Sequence, residues 1–271
     1  MTLEPLLIGE LLALGVVAGF LAGLLGVGGG MMMVPVLTWM LMQRGVETGL
    51  AVKMAIATAM ATITFTALSS VRAHHRLGTV RWDIVRSMAP GIVMGSLAAG
   101  AGAFALLKGR GLALLFAAFL GYMALQMLRD RKPRPGRQLP GPGGRFAVGA
   151  GIGFISALVG AGGAFMSVPF MTWCNVQARQ SVGTGAALGF PIAGGSTLGY
   201  LVSGWGLPAA LPGAFGYLYL PALVLVAGAS VGLAPLGART AHRINVVVLK
   251  RLFAIMLLAL AASMLMRAFS P

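Results

Sequence analysis

Long apolar runs, separated by short clusters of charge, proline and glycine, set the plan of this chain. The runs fall at 6–25, 31–42, 54–71, 87–107 and 111–128, and after a polar interval they recur at 146–159, 165–174, 181–203, 217–237 and 245–267. No charged residue lies between Arg145 and Arg179, or between Arg179 and Arg239. Such intervals hold membrane spans of about 20 residues each. The segment 165–174 is different: at 1.5 Å per residue it rises only about 15 Å, roughly half the thickness of a bilayer core. The pattern predicts an all-α, polytopic membrane protein made of a first repeat at 1–128, a basic linker at 129–145 and a second repeat at 146–271. Each repeat is expected to hold a glycine-broken hairpin followed by three transmembrane helices.

The repeat is visible residue by residue. Gly19-Phe20 is followed by Gly26-Val27-Gly28-Gly29-Gly30, Val34-Pro35 and Thr38-Trp39; Gly153-Phe154 is followed by Gly160-Ala161-Gly162-Gly163-Ala164, Val168-Pro169 and Thr172-Trp173. All four pairs of landmarks coincide at one offset, 134 positions. Ala57-Thr58-Ala59 and Gly183-Thr184-Gly185 form a further match. Broken helices at corresponding places in two halves are the best pointer in a transporter sequence to a substrate site.

Composition supports the membrane assignment. Hydrophobic residues make up 58% of the chain, charged residues 9%, and the mean hydropathy is +0.90, which leaves too little charge to cover a water-soluble surface of this size. The net charge of +15 does not point to nucleic acid, because the basic residues collect in loops. Arg72, Arg76, Arg81 and Arg86 lie in one loop and Arg129 to Arg145 in another, as in cytoplasmic loops of membrane proteins. The region around Arg239, His242 and Arg243 is basic, whereas 204–216 carries no charge. Five segments per half and this alternation predict opposite insertion of the two halves, with both termini outside. The N-terminus lacks a basic region ahead of its apolar stretch, so 6–25 is expected to be retained. Cys174 is the one cysteine, which rules out an internal disulfide and carries no metal pattern.

The glycine turns have chemistry of their own. Each precedes a helix start, near Met31 and near Phe165, where the first N–H groups lack intrahelical acceptors and carry the positive end of the helix dipole. Such donors beside glycine form an anion-binding nest. The expected substrate-binding set is Gly28, Gly29, Gly30 and Met31 with Gly162, Gly163, Ala164 and Phe165, assisted by Thr58 and Thr184. Gly15, Gly19 and Gly23, Gly91 and Gly95, and Gly149 and Gly153 are spaced by four and are expected only to let helices approach. Lys53 is expected to snorkel or to attract anions to an entrance. Trp39 and Trp173 are expected in an interfacial belt, and His74 and His75 in solvent. Nothing in the chain has the spacing of a catalytic or metal-binding set, so neither enzyme activity nor a cofactor is expected. Membrane carboxylates, usual in proton and sodium carriers, are nearly absent.

These glycine motifs, with Pro35 and Pro169, resemble the TauE/SafE (sulfite exporter) family of membrane transporters. Gly78-Thr79-Val80-Arg81-Trp82, Pro90-Gly91 with Gly95, and Pro235-Leu236-Gly237-Ala238 carry the resemblance across nearly the whole chain. It implies a multi-pass protein of the bacterial inner membrane that moves sulfur-containing anions such as sulfite or sulfonates, usually outward. The residues themselves leave open an anion channel, or a membrane subunit or scaffold that transports nothing. A small anion and membrane lipid are the expected partners, nucleic acid is not, and a homodimer is left open.

Overall fold

Each apolar segment folds as a helix, within a few residues of its expected bounds. In the first half these are α1 (Pro5–Leu25), α2 (Gly30–Gln43), α3 (Thr48–Arg76), α4 (Trp82–Ala98) with its short continuation α5 (Phe104–Leu106), and α6 (Gly109–Arg129). In the second half they are α7 (Pro142–Val159), α8 (Ala164–Trp173), α9 (Ala178–Ser203), α10 (Leu220–Thr240) and α11 (Val246–Phe269). The computed structural model describes residues 4–25, 29–129, 136–240 and 246–269; the side chains at 23–25, 235, 237–240, 246–250 and 267–269 fall outside that description. Gly28 and residues 130–135 of the basic linker lie outside the described residues, as do His242 and Arg243 and the side chain of Arg239.

Among the described residues, six helices are long and apolar enough to cross a membrane: α1, α3, α4 through Leu106, α6, α7 and α9. The protein is thus all-α and polytopic. The arms of the two broken hairpins are unequal. α1 and α7 are of spanning length, whereas α2 and α8 are shorter. α3 and α9 are the most enclosed spans, 67% and 61% buried over their most apolar stretch against 33–39% for the other four.

Two local features depart from the sequence expectation. The segment expected as helix from 217 starts one turn later, at Leu220, because Ala214–Phe215 (β1) and Leu218–Tyr219 (β2) pair as a small antiparallel hairpin. Gly216, at φ 54°, takes the left-handed position of its two-residue turn, as such turns require. A π-helical turn, Ala99–Ala103, interrupts the span that begins as α4. There Gly100 passes so close to α9 that a Cβ on it would lie 3.0 Å from the Ser196 carbonyl oxygen.

The packing joins one half to the other. α1 lies along α10, α4 along α7, α3 along α9 and α6 along α11. Exchanging the halves leaves this set of pairings unchanged. The glycines spaced by four are what let these pairs close. A Cβ on Gly15 would lie 2.8 Å from the Cβ of Ala229, and one on Gly19 2.4 Å from the Cα of Ser230, both on α10. A Cβ on Gly91 or Gly95 would fall 2.1 Å from the Phe146 oxygen or 2.0 Å from the Ala150 oxygen, and Gly149 and Gly153 abut the Met88 and Ile92 oxygens in return. Without a hydrophobic drive between helices in lipid, such close approach is how they bind one another. Ser230 Oγ adds a hydrogen bond to the Gly15 oxygen at 2.9 Å.

The end of the linker is docked, not free. The N–H groups of Gly136 and Arg137 donate to the Trp173 carbonyl at 3.1 and 3.3 Å. The Arg137 guanidinium lies 5.0 Å from the centre of the Trp173 ring.

Gly95→Ala should lower the thermal stability of the detergent-purified protein sharply, since overpacking costs about 1–3 kcal/mol or more. Gly121→Ala is the control: a Cβ there meets nothing within 4 Å, and alanine gains up to about 1 kcal/mol of helix propensity. Equal melting curves for both variants would show that the α4–α7 contact does not need its glycine.

Candidate functional site

The two glycine turns meet. In the first, Gly29 caps the start of α2 at φ 67°, ψ −13°, a left-handed conformation that favours glycine. In the second, Gly160 ends α7 at φ 59°, ψ 27°, and Gly162 and Gly163 lead into α8. A Cβ on Gly30 would lie 2.8 Å from the Gly160 carbonyl oxygen and 2.6 Å from Ile63 Cδ1, while one on Gly160 would lie 3.2 Å from both Ile56 and Val34. The turn of one half therefore rests on the turn of the other, with α3 running past both.

Gly163 differs from its expected role. Its φ is −62°, so the left-handed position of the second turn belongs to Gly160. What Gly163 supplies is room: a Cβ there would lie 2.3 Å from Ile192 Cδ1 and 3.3 Å from the Gly189 backbone, both on α9. Gly30, Met31, Gly162, Gly163 and Phe165 are buried and Ala164 is partly so. The Phe165 ring meets Phe119 of α6 edge to face at 6.4 Å. The N–H groups of Met32 and Met33 both close onto the Gly29 oxygen, at 3.2 and 3.3 Å. Those of Gly30 and Met31, one step earlier, precede the first intrahelical bonds. In the second half Ser167 N closes onto the Gly163 oxygen at 3.0 Å and Phe165 N reaches the Gly162 oxygen only at 3.5 Å. The repeated Val-Pro-x-x-Thr stretch gives the same bond twice, Thr38 Oγ1 to the Val34 oxygen at 2.8 Å and Thr172 Oγ1 to the Val168 oxygen at 2.9 Å.

The matched threonines are both buried and make the same kind of bond. Thr58 Oγ1 accepts the Tyr219 N–H at 3.0 Å, and Thr184 Oγ1 accepts the Arg81 N–H at 2.9 Å. Tyr219 directly precedes α10 and Arg81 directly precedes α4. Each threonine therefore holds the entry to the corresponding helix of the opposite half. The structure attaches them to two different segments rather than bringing them together around one point. Their own O–H groups donate to no acceptor among the described residues. Ser156, buried one turn before Gly160, shares this property: its Oγ has no partner among the described residues, although its carbonyl receives the N–H groups of Gly160 and Ala161. Every other buried serine or threonine hydroxyl among the described residues donates to a backbone carbonyl, the usual habit in membrane helices.

Around the site, the other side chains singled out in the sequence keep their expected places only in part. Lys53 is half-buried, and its Nζ donates to the Ala105 oxygen at 3.0 Å. Trp39 and Trp173 are about equally exposed, 43% and 42%, which suits an interfacial position, though Trp173 also carries Arg137. His74 and His75 have partners: His74 Nδ1 lies 3.2 Å from Thr79 Oγ1, and His75 Nδ1 accepts from Trp82 Nε1 at 3.2 Å. Arg81 grips Asp83 through two hydrogen bonds, 2.8 and 2.7 Å, and these hold its guanidinium charged by raising its pKa. No cluster of potential metal ligands occurs among the described residues. Ser156 and the N–H donors of Arg81 and Tyr219 went unnoticed in the sequence. A backbone donor has no side-chain signature, and a serine in an apolar helix looks like any other.

The family profile described as Sulfite exporter TauE/SafE matches residues 11–264. The chain is 34% identical over 261 residues to a "Probable membrane transporter protein" of Haemophilus influenzae, covering 94% of this chain and 97% of that one. It is 27% identical over 199 residues to the "Probable membrane transporter protein YdhB" of Bacillus subtilis, covering 69% of this chain and 76% of the other. No solved structure matches it.

Thr58→Val and Thr184→Val should each cost about 1–3 kcal/mol of stability, the penalty for a buried N–H left without an acceptor. Thr58→Ser and Thr184→Ser keep the oxygen and should lose less. Thermal unfolding in detergent checks this; valine variants as stable as wild type would show that the two bonds do not brace the fold.

Proposed function

The chain belongs to the sulfite exporter TauE/SafE family of membrane transporters, a multi-pass bacterial membrane protein and not an enzyme, and we propose that it exports small sulfur-containing or organic anions across the inner membrane by alternating access. The observation that carries this reading is the contact between the two glycine turns, Gly30 against the Gly160 carbonyl. It rests the start of α2 on the end of α7, four residues before α8 begins, so that the glycine turns of the two halves adjoin within the protein. A sulfite or sulfonate group has negatively charged oxygens and no need of a cationic side chain where several N–H donors converge. Donors for it are the N–H groups at 29–31 and 163–165; Thr58, Thr184 and Ser156 also carry hydroxyl protons that donate to no acceptor among the described residues.

Alternating access follows from two halves of opposite orientation. The support is the odd number of segments per half, the alternation of basic loops and the set of helix pairings that survives exchange of the halves. With the interior negative, each exported negative charge gains about 2.3 kcal/mol per 100 mV. Outward movement of an anion therefore proceeds without an ion-binding carboxylate in the bundle.

Purified protein in proteoliposomes should move radiolabelled sulfite or a small sulfonate at a rate that saturates with concentration. Unitary currents would instead mark a channel, and absence of flux from well-inserted protein would contradict transport of these anions. Gly29→Val and Gly163→Val should abolish flux in monodisperse preparations, the first through its left-handed backbone angle and the second through collision with Ile192. Orientation is read separately. A membrane-impermeant thiol reagent added outside cells should label Ala210→Cys and miss Gln138→Cys; the reverse pattern overturns the proposed topology.

A further inference from the structure

Lys53 is a half-buried charged residue in the second turn of α3, one of the two most enclosed spans. It stands on α3 five residues after the helix start, flanked by buried Ala51, Val52 and Met54. Its Nζ lies 5.9 Å from the centre of the Phe104 ring and 5.5 Å from that of Tyr217, and it donates to the Ala105 oxygen. No carboxylate among the described residues pairs with it. By contrast Arg81, at the opposite end of the bundle by the threonine bonds described above, is neutralised by Asp83. One of the three ammonium protons is committed to Ala105. The two aromatic faces attract the cation but leave its remaining protons available to an acceptor.

Its surroundings lead to the glycine turns. Ile56, which abuts Gly160, is three residues on along α3, a rise of about 4.5 Å. Phe104 packs on Tyr200 at 4.4 Å between ring centres, and the Tyr200 hydroxyl donates to the carbonyl of Ala157, in the last turn of α7. Capping Ala105 alone needs only a neutral donor such as glutamine. A charge within a membrane span is costly and marks a functional path by default.

We propose that Lys53 is the cationic element of a second oxyanion subsite, on the hairpin side of the glycine turns, where an anion waits on its way to or from them. This rests on the proposed anion transport and adds a residue to its path. An anion there shares the ammonium protons with no competing carboxylate, and the charge draws it from bulk solution along the side of the protein that carries β1 and β2. In the proposed orientation this is the outer mouth.

The test uses the full chain with sulfite as the probe. In proteoliposomes Lys53→Gln should raise the half-saturating sulfite concentration on that side by about 10-fold and flatten its dependence on ionic strength, as loss of a steering charge does; Lys53→Arg should stay near wild type. In detergent, sulfite should raise the melting temperature of wild type more than that of Lys53→Gln. On wild type alone, sulfite should protect Lys53 from reductive methylation more than Lys108, which needs no variant to fold. If wild type binds sulfite at Lys53 but carries none across, transport falls and the subsite stands. If wild type carries sulfite while Lys53 is unprotected and Lys53→Gln matches wild type, the subsite falls and transport stands. Arginine as defective as glutamine, or no protection and no thermal shift at all, also overturns the subsite.

Discussion

A backbone polar group at membrane depth must find its partner within the protein, and the two breaks in this chain put that demand where no lipid can be allowed. A helix interrupted by glycine exposes N–H and carbonyl groups at the break. Here the breaks are stacked: Gly30 lies on the Gly160 carbonyl, and α3 and α9, the most enclosed spans, wall them in. Much of the remaining architecture follows from this. Long first arms bring the turns inward, short second arms α2 and α8 return from them, and glycine-to-backbone contacts in α1–α10 and α4–α7 hold the long arms against the opposite half. Under the proposed function, the donors that lipid could not satisfy are the ones that take the anion.

The two halves are also locked to each other by an exchanged bond. Thr58 of the first half holds the entry to α10, and Thr184 of the second holds the entry to α4. Each helix that lies along a hairpin arm is thus positioned by the central helix of the other half. The hydroxyl protons left free at Thr58 and Thr184 are next to that linkage, so a ligand that takes them up bears directly on how the halves sit.

The fold was legible from the sequence to an unusual degree because helix in a membrane is written as uninterrupted apolar length. The glycines spaced by four also announced their contacts, since backbone approach needs a missing side chain at just those places. The hairpin before α10 was less visible: Phe215-Gly216-Tyr217-Leu218 is apolar throughout and lacks the alternation that marks a strand. The π-helical turn at Ala99–Ala103 depends on packing against Gly199 and Ser196, which a local pattern does not encode. Around the candidate site, Gly29 takes the backbone conformation that its neighbours suggested, whereas Gly163 does not, and Gly160 takes it instead. Duplication preserved the position of the turn but not which glycine bends. Lys53 was ambiguous because its aromatic partners, Phe104 and Tyr217, come from distant segments.

The central claim is that backbone N–H groups at the two turns hold the anion. Glycine-selective ¹⁵N labelling of the reconstituted protein, read by solid-state NMR during titration with sulfite, tests it at the atoms concerned. The account predicts saturable shifts of the Gly29, Gly30 and Gly163 amide signals, with Gly121 and Gly151 unmoved. Saturable sulfite transport by the same preparation with those three signals unchanged would contradict it and place the site elsewhere.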